Sequence, residues 1–310
     1  MLRHALVLVA LLPLGTAGAQ EAGKPLPVVA SFSILGDLVK QVGGARVAVT
    51  NLVGPDQDAH VYQAKPADAK SVREARLVVI NGLGFESFMP RLIKSSGTKA
   101  HIVTASTGIR TLEKAEKPAH EHGHGHRHGH GHDHGKIDPH AWQSIEAVKV
   151  YVANIRDGLA KADPAGAEIY ARNAHDYLAQ LDTLKTEIAA LFADVPREKR
   201  VIITTHDAFG YFARDMDVTF VAVQGLSTEG EASAKDVARV IKLAKERKAA
   251  AIFIETMTSP RLAEQIARES GARVGGALYS DALSDEKGPA ATYIALMRHN
   301  AKAIRAALGE

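Results

Sequence analysis

Short runs rich in β-branched residues alternate with longer helix-like stretches, and this alternation restricts the fold more than any other feature of the sequence. The runs are LPVVASF, ARVAVTNLV, ARLVVING and AHIVTA in the first half of the chain, and RVIITT, VTFVAV, AAAIFIE and ARVGGALYS in the second. Strands that alternate with helices form parallel sheets covered by helices. The sequence therefore predicts an α/β protein with two sets of mainly parallel strands.

A long amphipathic stretch separates the two sets. In AGAEIYARNAHDYLAQLDTLKTEIAALFADV the apolar residues recur mostly at steps of three and four, which predicts one helix of about 30 residues that ends before Pro196. A chain of 310 residues is also long for a single core. We expect an N-terminal lobe over 20–163, a linking helix over 164–195 and a C-terminal lobe over 196–310.

The first nineteen residues have the pattern of a secretory signal peptide. Arg3 precedes the apolar run ALVLVALLPLG, and a small-residue cleavage site ends at Ala19. We therefore expect cleavage after Ala19 and a location in the periplasm. The sequence has no cysteine, so we expect no disulfide, no thiolate ligand and no lipid anchor on a cysteine. A formal net charge of +3 without a basic block disfavours nucleic acid and anionic lipid as partners.

Residues 113–136 are composed mostly of glycine and histidine. Eight histidines stand at every second position: His120, His122, His124, His126, His128, His130, His132 and His134. A segment with almost nothing to bury is expected to be a mobile loop. Its imidazoles should bind zinc weakly, because no arrangement is preorganised and each costs chain entropy. A solvated spacer without a role in transport is the alternative.

Four other positions are stronger candidates for a tight metal site. His60 follows the second strand, His140 comes directly after the histidine tract, His206 follows the first strand of the second half, and Asp281 follows the last strand. Ligands of open α/β sheets collect at the carboxyl ends of strands, so these groups could converge. Singly, each histidine is more simply a surface or hydrogen-bonded loop residue, and Asp281 a cap or turn residue. Only the set indicates a site.

The chemistry of this set suits a metal. Three neutral imidazoles and one carboxylate are ligands that zinc accepts in tetrahedral geometry. With all four positions occupied by protein, none remains for an activated water, and the His-Glu-x-x-His motif of many zinc hydrolases is absent. We therefore expect a protein that holds an ion and has no catalytic residues. A periplasmic zinc buffer or metallochaperone would need the same site.

The segments DAHVYQAKPAD, DPHAW, TTHDAFGYF and YSDALS, with the histidine-rich insertion before the second, resemble the zinc/manganese-binding solute-binding proteins of ABC transporters. The resemblance extends over essentially the whole chain after the signal. It implies two pseudo-symmetric α/β lobes joined by one rigid helix, with the ion held between them by His60, His140, His206 and Asp281. It also implies delivery of the ion to an inner-membrane permease that a cytoplasmic ATPase drives.

The same resemblance bears on the choice of metal. Manganese-selective relatives tend to carry a glutamate where this chain has His206. An imidazole in place of a carboxylate favours Zn²⁺ over Mn²⁺, because manganese is lowest in the divalent affinity series and prefers oxygen. We expect one tightly bound Zn²⁺ in a monomeric protein. A periplasmic zinc chaperone is a second candidate partner.

Several acidic residues near these positions are weaker candidates. Asp56, Asp58 and Asp138 could accept hydrogen bonds from the imidazoles, although turn formation explains them nearly as well. Glu255 ends a strand and could approach the cleft.

Overall fold

Two four-stranded parallel sheets, each covered by helices, form the framework of the protein. The computed structural model describes residues 24–113, 137–247 and 249–309. The first sheet contains β1 (Leu26–Phe32), β2 (Val47–Val53), β3 (Leu77–Ile80) and β4 (His101–Thr104), and the second contains β5 (Val201–Thr204), β6 (Thr219–Ala222), β7 (Ala251–Glu255) and β8 (Arg273–Leu278). The expected signal segment and all eight tract histidines lie outside the described residues.

The two sheets have the same strand order. The first runs β2-β1-β3-β4 and the second runs β6-β5-β7-β8, and every neighbouring pair is parallel. All eight strands fall within the runs that the sequence indicates. We call each sheet with its helices a lobe, and the repeated order confirms the expected α/β fold of two pseudo-symmetric lobes.

Helices cover both sheets and connect the lobes. Within the described ranges they are α1 (Ser33–Gly43), α2 (Pro66–Glu74), α3 (Met89–Ser96), α4 (Ile145–Ala162), α5 (Ala167–Phe192), α6 (Gly210–Met216), α7 (Ala234–Glu246), α8 (Pro260–Ser270) and α9 (Tyr293–Leu308). None of these helices combines the length and the apolar character needed to cross a bilayer.

Helix α5 is the long helix that joins the lobes. It has 26 residues and packs against α1, α4 and α9. It is shorter than the segment 164–195 because Pro164–Gly166 forms a separate 3₁₀ turn. At the other end Arg200 donates hydrogen bonds to the carbonyls of Phe192 and Val195, at 2.6 and 2.9 Å. These bonds satisfy free carbonyls at the last turn and end the helix before Pro196.

Local turns and polar contacts set the starts of two short helices. Helix α3 begins at Met89, after two tight turns in which the N–H groups of Phe85 and Met89 donate to the carbonyls of Gly82 and Glu86. Helix α2 has a weak apolar pattern, since Val72 is its only buried residue. Local polar contacts and a proline at its first position start α2 instead.

Serine residues precede the first turns of α7 and α8. The Ser233 side chain accepts a hydrogen bond from the backbone of Asp236, as expected of the cap of α7. Ser259 is the N-cap residue of α8, but its side chain makes no capping hydrogen bond. The fixed φ of Pro260 favours the first turn of α8 without it.

The lobes share one continuous core. The main cluster of buried apolar side chains includes Val28 and Leu77 from the first sheet, and Ile202 and Phe253 from the second. Trp142, the only tryptophan of the chain, is fully buried in this cluster. The two sheets therefore pack on one shared apolar interior.

A buried carboxylate ties the first helix to the last. Asp37 of α1 accepts hydrogen bonds from the backbone N–H of Tyr293, at 2.8 Å, and from the Gln41 side chain, at 2.9 Å. Burial raises the pKa of Asp37, and these donors oppose the rise. The phenol of Tyr293 in turn donates to the carbonyl of Trp142, at 2.8 Å. The N-terminus of α9 is thus held by the first lobe.

We expect Asp37→Ala to lower the free energy of unfolding by about 1–3 kcal/mol, because it leaves the buried N–H of Tyr293 without its acceptor. Urea denaturation measures the change. The matched control is Asp157→Ala, which removes a mostly exposed pair with Arg156 and should change stability by less than about 0.5 kcal/mol. Equal effects of the two substitutions would contradict this role of Asp37.

Candidate metal centre

His60, His140, His206 and Asp281 meet in a buried cluster. One ligand atom from each side chain lies within 4.8 Å of the others. His60 is 6% exposed and the other three are fully buried. His60, His206 and Asp281 follow strands β2, β5 and β8, and His140 precedes α4. The structure therefore brings together the four residues that the sequence nominates.

The distances between the donor atoms suit a four-coordinate ion. His60 Nε2 lies 3.3 Å from His140 Nε2 and 3.3 Å from Asp281 Oδ2. His206 Nε2 lies 3.2 Å from Asp281 Oδ2, and His140 Nε2 lies 3.8 Å from Asp281 Oδ1. A tetrahedron with bonds of about 2.0–2.1 Å has edges of about 3.3–3.4 Å. Three of the four distances match such edges closely.

Two carboxylates orient two of the rings. Asp138 Oδ1 lies 2.8 Å from Nδ1 of His140 and accepts a hydrogen bond from its backbone N–H at 3.0 Å. Glu255 pairs with Nδ1 of His206 and accepts a hydrogen bond from its backbone N–H at 2.8 Å. A carboxylate at Nδ1 keeps the proton there and leaves the Nε2 lone pair free for a metal.

Asp56 and Asp58 hold the His60 loop through its backbone. Asp58 accepts hydrogen bonds from the His60 N–H, at 2.8 Å, and from the Thr228 hydroxyl of the second lobe, at 2.6 Å. Asp56 adopts a positive φ of 53° and donates its N–H to the carbonyl of Leu283, at 2.9 Å. Asp58 therefore positions the loop, where the sequence had suggested a contact with an imidazole ring.

The electrostatics of the cluster favour a cation. Burial alone would lower the pKa of His206, but Glu255 and Asp281 raise it well above its usual range. Burial alone would raise the pKa of Asp281, but His206 and His140 hold it well below its usual range. The pKa of Glu255 is lowered for the same reason. The carboxylates of Asp281 and Glu255 therefore stabilise positive charge placed between them.

Two aromatic side chains pack against the cluster. The ring of Phe85 meets His60 edge-on at a centroid distance of 4.8 Å, and Trp142 meets His140 at 5.3 Å. Trp142 belongs to the DPHAW motif, but nothing in the sequence pattern indicates this contact. Such surroundings strengthen the attraction between a cation and its ligands by lowering the local dielectric.

His60 is the one residue of the four that retains some exposure, and a small cavity lies beside it. A cavity of about 20 Å³ beside this side chain is lined by Leu83 and Pro139 of the first lobe and by Leu226 and Ser227 of the second. Ile137, where the described chain resumes after the tract, also lines the cavity and pairs with Glu113 in a single antiparallel bridge. The two ends of the tract therefore lie beside this cavity.

The arrangement can hold a divalent cation and offers no catalytic apparatus. All four donors are protein groups that surround one point, so a tetrahedral ion bound there has no position for an activated water. The donor set also fits zinc in kind, with borderline nitrogen and one hard oxygen.

Comparison with known proteins identifies the family of the chain. The family model described as the periplasmic zinc-uptake complex component A matches residues 28–307. The manganese-binding lipoprotein MntA of Halalkalibacterium halodurans is 31% identical, over 91% of this chain and 88% of its own. The iron-binding protein YfeA of Yersinia pestis is 31% identical, over 94% of this chain and 88% of its own.

A solved structure shows the same architecture. The periplasmic zinc-binding protein TroA of Treponema pallidum superposes with a TM-score of 0.82 at 30% identity, over 92% of this chain and 99% of its own. The family match, which spans nearly all the described residues, places the chain among binding proteins and not among enzymes. This chain therefore belongs to the family of the periplasmic zinc-uptake component, the metal-binding substrate-binding proteins of ABC transporters.

Proposed function

We propose that the protein captures Zn²⁺ between its lobes and delivers it to an ABC permease for import. His60, His140, His206 and Asp281 are the proposed ligands. The observation that carries the proposal is their burial around one point, with three donor distances of 3.2 to 3.3 Å that match edges of a zinc tetrahedron.

The choice of zinc over manganese rests on the donor set. Relatives of similar identity carry names that refer to manganese, iron or zinc, so the fold does not decide the metal. Three imidazoles favour zinc, whereas manganese prefers oxygen ligands and binds more weakly to nitrogen sites. The pairing of Glu255 with Nδ1 of His206 supports this choice, because it directs Nε2 of the ring toward the cluster, where a bound ion would displace the Nε2 proton.

The remaining expectations follow from the family and are proposals for this chain. After cleavage of residues 1–19 the protein would act in the periplasm as a monomer, with lobes over 20–163 and 196–310 and a linking helix over 164–195. Its partners would be an inner-membrane permease with a cytoplasmic ATPase, and a periplasmic zinc chaperone that supplies the metal.

The histidine tract is proposed as an accessory to the buried site. Its ends at Glu113 and Ile137 are paired beside the cavity next to His60. Imidazoles attached there would raise the local concentration of zinc beside this cavity. The buried cluster is the tighter site, because its four donors are already in place.

One prediction of this proposal concerns the ligands. We expect His206→Ala to weaken zinc binding by at least about 100-fold, more than the 10- to 100-fold typical of losing a partner of a ligand. Competitive titration of the purified protein with a chromogenic chelator measures this. The matched control is His175→Ala on the exposed face of α5, which should bind zinc like the unchanged protein. Tight zinc in the His206 variant would refute the site.

The second prediction concerns the metal. His206→Glu alone should bind any divalent ion poorly, because it places a second carboxylate against buried Glu255. Adding Glu255→Gln relieves the repulsion, so the double variant should lower the ratio of zinc to manganese affinity by at least about tenfold. Isothermal titration with each metal gives the ratio, and Glu255→Gln alone is the control. An unchanged ratio in the double variant would show that position 206 does not govern selectivity.

The third prediction separates the tract from the buried site. A variant without residues 119–135 should retain one tightly bound zinc and lose the weaker equivalents, because the four proposed ligands remain. Metal analysis after dialysis against graded chelator concentrations measures the stoichiometry. Loss of the tight zinc from this variant would make the tract the principal site.

Transport itself separates the proposal from a zinc buffer, which would use the same four ligands. In cells that contain the cognate permease and ATPase, the unchanged protein should support growth at limiting zinc and His206→Ala should not. Growth that is independent of the permease would favour the buffer.

A further inference from the structure

Asp281 differs from His140 and His206 because, among the described residues, no further side chain orients it by a hydrogen bond. His140 and His206 are each oriented by a carboxylate at Nδ1. Among the described residues, neither oxygen of Asp281 accepts a hydrogen bond from any group outside the histidine cluster. The position of this carboxylate must therefore come from the backbone that carries it.

The peptide group just before Asp281 is hydrogen-bonded to side chains of the first lobe. The carbonyl of Ser280 accepts two hydrogen bonds, from Trp142 Nε1 and from Gln143 Nε2, each at 2.8 Å. Both donors lie in the 3₁₀ turn Ala141–Gln143, directly after His140. All of these groups are buried. The Ser280 carbonyl shares its peptide plane with the Asp281 nitrogen, so the two bonds fix the origin of the Asp281 side chain.

The backbone just after Asp281 is also hydrogen-bonded to the first lobe. The N–H of Leu283 donates to the Ser33 hydroxyl at 2.9 Å, and the carbonyl of Leu283 accepts the N–H of Asp56 at 2.9 Å. Ser33 is the first residue of α1. Asp281 thus lies between two points of attachment to a lobe other than its own.

Between Tyr279 and Ser280 the hydrogen-bond partners of the backbone change from the second lobe to the first. Tyr279, immediately upstream, exchanges two hydrogen bonds with Asn300 of α9, at 2.9 and 2.7 Å. At Ser280 and Leu283 the backbone is instead bonded to Trp142, Gln143 and Ser33 of the first lobe. The carboxylate of the second lobe is therefore presented by hydrogen bonds from the first.

We propose that Trp142, Gln143 and Ser33 are positioning residues that place Asp281 on the bound zinc and make zinc affinity depend on contact between the lobes. This inference rests on the proposed function of the four-ligand site. Separation of the lobes breaks the hydrogen bonds to Ser280 and Leu283. The Asp281 carboxylate is then no longer held in place, and the affinity for zinc falls. The hydrogen bonds between the lobes and the bond to the metal therefore strengthen each other.

The experiment measures zinc affinity for Gln143→Leu and Ser33→Ala, alone and combined with Asp281→Ala. Leucine keeps the bulk of Gln143 and removes its donor, and alanine removes the Ser33 acceptor. With Asp281 present, each variant should bind zinc about tenfold more weakly, in the range for partners of a metal ligand. With Asp281→Ala, the same substitutions should change zinc affinity by less than about twofold, because the residue through which they act is gone.

Ser144→Ala is the matched control. It removes a different hydroxyl, which donates to Asp215 of the second lobe at 2.5 Å and caps α4. Among the described residues, this hydroxyl makes no hydrogen bond to the backbone of residues 280–283. The substitution should lower thermal stability without changing zinc affinity. Absorption spectra of the Co²⁺-loaded proteins add an independent measure. The ligand-field bands should shift in Gln143→Leu and Ser33→Ala but not in Ser144→Ala, because only the first two move a ligand.

The outcomes distinguish this inference from the proposed function. If Asp281→Ala alone retains full zinc affinity, the four-ligand site is wrong. If Asp281→Ala loses affinity while Gln143→Leu and Ser33→Ala do not, the site stands and the positioning role is overturned. Equal losses with and without Asp281 would also overturn it, since the residues would then act on stability alone.

Discussion

The burial of carboxylates against imidazoles is the constraint on which the rest of the structure depends. Asp281 and Glu255 are fully buried, and among the described residues their ion pairs are with histidines. Taking such charges out of water is costly unless opposite charge is supplied nearby. A divalent cation supplies it, so the ion completes the electrostatics of the interior. The shared core and the linking helix α5 keep the two halves of this cluster in register.

The ends of the strands made the site predictable. His60, His206 and Asp281 each follow a strand that β-branched residues mark clearly, and parallel strands deliver their carboxyl ends to one edge of a sheet. The strand pattern thus indicates the α/β fold and three of the four positions. His140 follows no strand, and its place directly after the histidine tract and the family resemblance nominated it. The outer limits of α3 and α5 were less predictable, because turns and the Arg200 side chain set them.

Contacts between distant segments were beyond the sequence pattern. The bonds from Trp142 and Gln143 to Ser280 join residues more than 130 positions apart, and no periodicity reports such a pair. The role of Asp58 in holding a loop also depends on Thr228 of the other lobe. These contacts decide how precisely the ligands are held, whereas the visible motifs decide only which ligands there are.

The lone tryptophan gives the protein a built-in optical reporter. Trp142 is fully buried, its indole ring contacts the imidazole of His140, and its N–H is bonded to the peptide before Asp281. An indole in such a place senses both the charge on a neighbouring ring and the integrity of its own hydrogen bond. With no second indole in the chain to mask it, its fluorescence can follow the arrival and departure of an ion in real time, without any attached dye.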